Sequence, residues 1–348
     1  MLVTRALNCR SSRRVSSICR GLLCGTCFVA GWVATISIIG MSLPFPNVPY
    51  VAEKWKYFES HKDRIDTIFV GSSRVASQIM PAEFDTETAA QGVPTHSFNL
   101  ACAGMWPPES FYFLRQILEL RPPHLKWVMI DLMNVDSRIP DANSGTQRAE
   151  YWHDWGHTFM AWRDVLESTQ SPQDKATQLW KHEWLLVKRF VRTGRGSEWL
   201  ENQLAFFNRV RIPEWINRGG FDPTANGSIT GDNLKLFLDA VDKLKKGMPH
   251  HSMRPVFVDA VQEVAVEVRR IGAEPLFILA PTVNNMENYG GFPPGVTVLA
   301  FNDPNQYPVL FDPAFHFDAW HLNKEGAVPY TRLLARRFVE WELRRGER

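Results

Sequence analysis

Five short apolar runs punctuate the chain, each bounded by turn residues, with helical periodicity between them. Ile68-Phe69-Val70 ends in the Gly-Ser turn of DTIFVGSSR, and THSFNL (95–100) leads into Ala101-Cys-Ala-Gly104. LKWVMIDLMNV covers 125–135, EPLFILAPT covers 274–282, and VTVLAFN covers 296–302. Unbroken apolar runs of this length predict strands buried on both faces. Amphipathic patterning predicts helices over 50–65, from Pro107 to about Leu120, from about Pro255 to Ile271, and from Glu325 to about Arg345. Pro107 and Pro108 suit a first helical turn. Such strands alternating with helices predict an α/β fold, a parallel sheet of about five strands covered on both faces. Ligands of these sheets sit beyond the carboxyl ends of the strands. Gly71-Ser72-Ser73, Gly104 and Asn134 all fall at such ends.

Two segments break the pattern. Between the third and fourth runs lies an insertion of 110 residues or so, 140–250, rich in Trp. It is helical in YWHDWGHTFMAWRDVLES and WKHEWLLVKRFVRT and loop-like over Arg218–Asp232. Near the N-terminus, 21–43 is uncharged, and a helix needs about 20 residues to cross a bilayer core. Arg5, Arg10, Arg13, Arg14 and Arg20 precede it and no acid does. This bias predicts a basic cytoplasmic tail (1–20), a signal anchor (21–43) and a single-pass membrane protein with residues 50–348 outside the cytoplasm. A cleaved signal peptide is the rival reading.

Once those five charges are taken from the formal +2 of the chain, −3 remains for the rest. A mildly acidic body is a poor nucleic-acid binder, which needs a basic face for phosphates. Four of the five cysteines, Cys9, Cys19, Cys24 and Cys27, precede the body, where Cys102 stands alone. The body is therefore expected to fold without an internal disulfide.

The chemistry concentrates in two places. FDAWHLNKEGA (317–327) sets Asp318 three residues before His321, with Asn323 as a helix cap. An acid that orients an imidazole makes a general base. Ser73, where a strand turns into a helix, is a candidate nucleophile for that base. The plainer readings are a helix-capping or phosphate-cradling Gly-Ser turn, and a packed His beside a surface Asp. An oxyanion would need donors, and the backbone N–H groups of Ser73 and Gly104 with the Asn134 side chain are the candidates. Arg74 reads as a scaffold ion pair or as a contact to an anionic substrate. A metal site at His316, Asp318 and His321, or at the His153/His157 pair, lacks a second ligand cluster, so neither metal nor cofactor is expected. Trp at helical spacing reads as core, although indole faces also stack on sugar rings.

Taken together, the chain resembles the SGNH (GDSL-like) hydrolase superfamily over roughly 60–135 and 270–345. GSSR is similar to that family's first block, with Ser73 at the nucleophile. NLACAG matches the second block through Gly104, and FDAWHLN the C-terminal Asp-x-x-His block through Asp318 and His321. Ser72 stands where the family has Asp, as in membrane-anchored relatives that modify extracytoplasmic polysaccharides. The third block, Gly-x-Asn-Asp, is reduced to Leu132-Met-Asn134-Val135. The resemblance implies a three-layer flavodoxin-like fold. It also implies a serine esterase or O-acyltransferase acting on acyl, for example acetyl, esters of an envelope or exported polysaccharide, with envelope proteins as possible partners. A non-catalytic anchored scaffold or glycan-binding module is the alternative.

Overall fold

The computed structural model describes residues 3–42, 45–46, 48, 50–139, 141, 144–191, 200, 213–223, 227–247, 250–283 and 288–347, with side chains in the first helix from 19 to 39. The side chains of Arg5, Arg10, Arg13 and Arg14 in the predicted tail, and much of 192–212 in the insertion, lie outside the described residues. By its contacts the chain falls into two units, Met1–Pro44 with Val187–Val210, and Phe45–Leu186 with Arg211–Arg348. The first contains helix α1 (Val3–Ser42). Its segment Cys19–Ile39, 21 residues, is long and apolar enough to cross a membrane.

The second unit holds an α/β fold. Its elements begin with α2 (Val51–His61), β1 (Thr67–Val70), α3 (Ser73–Ala76), α4 (Pro81–Ala90), β2 (Ser97–Asn99), α5 (Glu109–Glu119) and β3 (Trp127–Asp131). They continue with α6 (Gln147–Glu150), α7 (Trp155–Glu167), α8 (Pro172–Val191, assigned to this unit as far as Leu186), α9 (Gly231–Lys245), α10 (Pro255–Arg270), β4 (Glu274–Leu279), β5 (Thr297–Ala300) and α11 (Lys324–Gly346). The five strands form one sheet in the order β2-β1-β3-β4-β5. Every pairing is parallel, with Phe69 opposite Asn99 on one side and Val70 opposite Ile130 on the other.

The period-two alternation of strand side chains divides the core. Ile68, Val70, Val128, Ile130, Phe277 and Leu279 pack with Phe113 and Ile117 of α5 and Val261 and Val264 of α10. Phe69, Met129, Leu276 and Ile278 pack on the opposite face with Phe84 of α4 and with Tyr330, Leu334 and Phe338 of α11. Both faces are thus covered, which is why the strands read as unbroken apolar runs.

Several boundaries differ from the sequence expectation. β3 stops at Asp131 rather than running to Val135, because the Met133 N–H turns back onto the Asp131 carbonyl at 3.1 Å. Helix α4 was not predicted: it buries only Pro81, Phe84 and Thr88, too few for a clear stripe. The loop predicted for 218–232 gives way at Gly231 to α9, whose Phe237 and Val241 are buried one turn apart.

Part of the insertion closes the sheet edge. β2 is an outer strand, and its Asn99 N–H donates to the Gly219 carbonyl at 2.8 Å. Gly220 (φ 85°) approaches so closely that a Cβ there would lie 2.2 Å from the Asn99 oxygen. A strand edge with its N–H groups engaged is not a template for another chain. Lys54 of α2 secures the same loop. It is completely buried, and its Nζ donates to the carbonyls of Ala101 (2.5 Å) and Gly220 (2.7 Å). The rings of Tyr50 and Trp215 lie 5.2 Å away.

Burial pushes the Lys54 pKa from its ordinary 10.5 down to about 8, against the opposing pull of Cys102 and Asp222. A neutral amine still has N–H groups for both carbonyls. Between about 8 and 10.5 the unfolded chain holds this proton and the folded chain does not, so the residue's contribution to stability rises with pH across that window. Lys54→Met, which leaves two carbonyls without a donor, should be less stable than wild type by about 1–3 kcal/mol at pH 10. The gap, read from urea denaturation, should narrow toward pH 8. A gap independent of pH would refute the buried-amine account.

Candidate active site

The site forms where β1, at the middle of its three-strand neighbourhood, runs into α3. Gly71 has φ 153°, and a Cβ on it would lie 2.3 Å from Asp131 Cβ, so only glycine fits against the end of β3. The Ser72 hydroxyl donates to Asp131 Oδ2 at 2.5 Å, and its backbone N–H donates to the same oxygen at 3.2 Å. Ser72 Oγ in turn accepts the Arg74 N–H, capping α3. Ser73 follows as the first residue of that helix, partly exposed.

The candidate base lies 248 positions further along the chain. His316 and Leu322 form an antiparallel bridge, and the Phe317 N–H donates to the His321 carbonyl at 2.9 Å. In this tight loop Asp318 Oδ1 accepts the N–H groups of Trp320 (2.7 Å) and His321 (2.8 Å). The carboxylate is thereby folded back onto the ring, with His321 Nδ1 2.9 Å from both Asp318 oxygens. Asn323 caps α11 through the Gly326 N–H at 2.9 Å. Gly326 has no space for a side chain, since a Cβ would meet the Phe315 carbonyl oxygen at 2.4 Å. The Asp-x-x-His spacing, the Asn and the Gly thus serve one local geometry.

His321 Nε2 lies 2.7 Å from Ser73 Oγ. A carboxylate only accepts hydrogen bonds, so Nδ1 carries the proton and Nε2 presents its lone pair to the serine hydroxyl. Burial by itself would raise the Asp318 pKa. The bonds from the His321 ring and from the Trp320 and His321 N–H groups outweigh it and hold the carboxyl below its ordinary range. Asp318 and His321 are 31% and 23% exposed, so the pair is open to an entering molecule.

The oxyanion candidates sit on loops that backbone bonds tie together. The Cys102 N–H donates to the Gly71 carbonyl at 3.0 Å, and the Asp136 N–H to the Pro107 carbonyl at 3.2 Å. These bonds join the loops that follow β1, β2 and β3. Gly104 (φ 68°) occupies a turn closed by the Met105 N–H on the Cys102 carbonyl. The backbone N–H groups of Ser73 and Gly104 take no acceptor among the described residues. Asn134, on the loop after β3, has a buried Oδ1 without a hydrogen-bond partner among the described residues.

Other sequence candidates have different settings. Arg74 is 4% exposed, and its guanidinium faces the Asp131 carboxylate at 3.5 Å. Of the two sequence readings of Arg74, this geometry is the scaffold ion pair: without the cation, Asp131 would be a buried unpaired charge. His316 is buried, with Nε2 donating to the Leu310 carbonyl at 2.8 Å. His153 and His182 pair at 2.9 Å, and His157 turns to Asp154, the cap of α7. Among the described residues there is no cluster of three metal-ligating side chains. Asp131 is the residue that sequence reasoning missed. Its signal was a lone carboxylate closing an apolar strand, which needs a buried partner.

Gly71→Ala tests the close approach of β1 to Asp131. It should lower stability by about 1–3 kcal/mol through overpacking, added to about 1 kcal/mol of backbone strain. Gly92→Ala is the control, with φ 84° and nothing within 4 Å of its Cβ, and should show the strain alone. Equal losses in thermal melts would contradict the contact.

Compared with known proteins, the chain matches no family model and no curated sequence.

Proposed function

We propose that the chain is a membrane-anchored SGNH-type serine hydrolase or O-acyltransferase, working outside the cytoplasmic membrane on acyl esters of an envelope or exported polysaccharide. The observation that carries the reading is the continuous line from Ser73 Oγ through His321 to Asp318, at 2.7 and 2.9 Å. The strand order 2-1-3-4-5, used by flavodoxin-like doubly wound sheets, supports the finer fold assignment. The five arginines before the apolar helix support a cytoplasmic N-terminus.

In this reading Ser73 Oγ attacks the acyl carbonyl carbon as its proton passes to His321 Nε2. Asp318 stabilises the imidazolium. The Ser73 and Gly104 N–H groups, with Asn134, receive the developing oxyanion. Collapse expels the alkoxide, which takes the proton from His321 and leaves an acyl-Ser73 ester. Water or a sugar hydroxyl then attacks that ester, giving its proton to His321. The serine oxygen departs and recovers the proton. Hydrolysis and transfer differ only in the second acceptor. The alternative, a non-catalytic anchored scaffold or glycan-binding module, draws on the reduced third block, Leu132-Met-Asn134-Val135.

A fluorophosphonate probe separates the two. Wild type should be labelled covalently, and Ser73→Ala should not. Asp318→Asn, which removes the acceptor that fixes the His321 tautomer, should lower turnover of an aryl acetate by about 10³–10⁴-fold while the protein stays folded. A wild-type protein that takes no label would leave the scaffold reading.

A further inference from the structure

Beside Gly104, between the loops that follow β2 and β3, lies a cavity of about 310 Å³. Gly104, Trp106, Glu109, Arg138, Arg148 and Trp152 are among its lining residues. This is the small end of the range for ligand pockets, with room for about one ring-sized unit. Arg148 dominates its chemistry. The Nε of Arg148 donates to both oxygens of Glu109, at 3.0 and 3.3 Å. The Tyr151 hydroxyl donates to the same carboxylate at 2.8 Å. Arg148 Nη2 is buried and meets no acceptor among the described residues, and it lies 3.9 Å from where a Cβ on Gly104 would stand. A buried N–H group without a partner is costly, and a ligand oxygen that reached this corner of the cavity would satisfy it.

The other walls define what carries that oxygen. Each cation is already paired, Arg148 with Glu109 and Arg138 with Asp136. An anion entering here would lose its hydration without gaining an uncompensated positive charge. Hydroxyl and ring oxygens do not carry that cost. Two indoles complete the lining: Trp106, 38% exposed, and Trp152, buried and stacked on His153 at 3.7 Å. Flat aromatic walls beside a polar donor suit the C–H face of a pyranose.

We propose that this cavity is a subsite for one uncharged sugar ring, with Arg148 Nη2 donating to a ring or hydroxyl oxygen and Trp106 covering its face. It deepens the acyl-ester reading and rests on it for one point, that the ring so held carries or receives the acyl group at Ser73.

The test uses the full-length chain in nanodiscs, free of glycosidic detergent, and the Ser73→Ala form, so that binding is read without turnover. Probes are the methyl glycosides of glucose, galactose, mannose and N-acetylglucosamine, with methyl glucuronide as the charged counterpart, followed by saturation-transfer NMR and equilibrium dialysis. At least one uncharged glycoside should bind, and glucuronide no more tightly. Arg148→Lys keeps a cation beside Glu109 but removes the second donor nitrogen. It and Trp106→Ala, at a partly exposed position, should each weaken binding at least fivefold with the thermal melt retained. No binding by any uncharged probe, tighter binding of glucuronide, or binding indifferent to both substitutions would overturn the proposal. Fluorophosphonate labelling of wild type reports separately on Ser73. A protein that binds glycoside in this cavity yet takes no label would retain the subsite and lose the acyl chemistry.

Discussion

A single hydrogen bond, Ser73 Oγ to His321 Nε2 at 2.7 Å, spans 248 positions of sequence, and the architecture around it reads as the means of holding it. The hydroxyl is fixed from below. β1 lies between β2 and β3, and Asp131 at the end of β3 grips the turn through the side chain and backbone of Ser72. The imidazole is fixed from above. Asp318, the Phe317–His321 loop and the Asn323 cap leave the ring little freedom at the start of α11. Neither half depends on a long flexible side chain. Both rest on backbone bonds and short polar residues, which lose little rotamer entropy when they are ordered.

The polar groups buried around this frame have a common logic. Asp131 with Arg74, and Lys54 with two carbonyls, occupy places where strands end and backbone groups would otherwise lack partners. The carboxylate organises the turn that carries Ser73. The amine organises the loop after β2 and the glycine pair of the insertion that closes the sheet edge. The insertion is therefore part of how the domain is finished, since its residues 219–220 complete the outer side of β2.

Much of this was legible in the chain. The five strands stand out because double-sided burial leaves no polar position between Ile68 and Val70 or between Leu276 and Leu279. Asp318 and His321 were legible because their partnership is local, three residues apart in one tight loop. The role of Asp131 was not, because it depends on which strand lies next to β1, a fact of topology. The scaffold ion pair offered for Arg74 lacked its partner for the same reason. Helix α4 was hidden because its buried positions are sparse, and the Gly219–Gly220 contact because glycine pairs serve open turns as readily as close approaches. Cavity-lining residues such as Glu109 and Arg148 carry no motif. Their relation to Gly104 exists only after α5 and α6 have been placed.

The long span between the two halves of the Ser73–His321 pair also bears on the order of events during synthesis. The hydroxyl emerges early, followed by the strands that seat it, while the imidazole beside it arrives 248 positions later, just ahead of α11. Throughout most of translation the nascent domain holds an ordinary alcohol. On the proposed serine reading, its activation would wait until α11 docks across Phe84 and Phe338 joins the core. A chain cut short before that point keeps its sheet-forming segments without His321, so under the proposed mechanism incomplete products would stay chemically quiet.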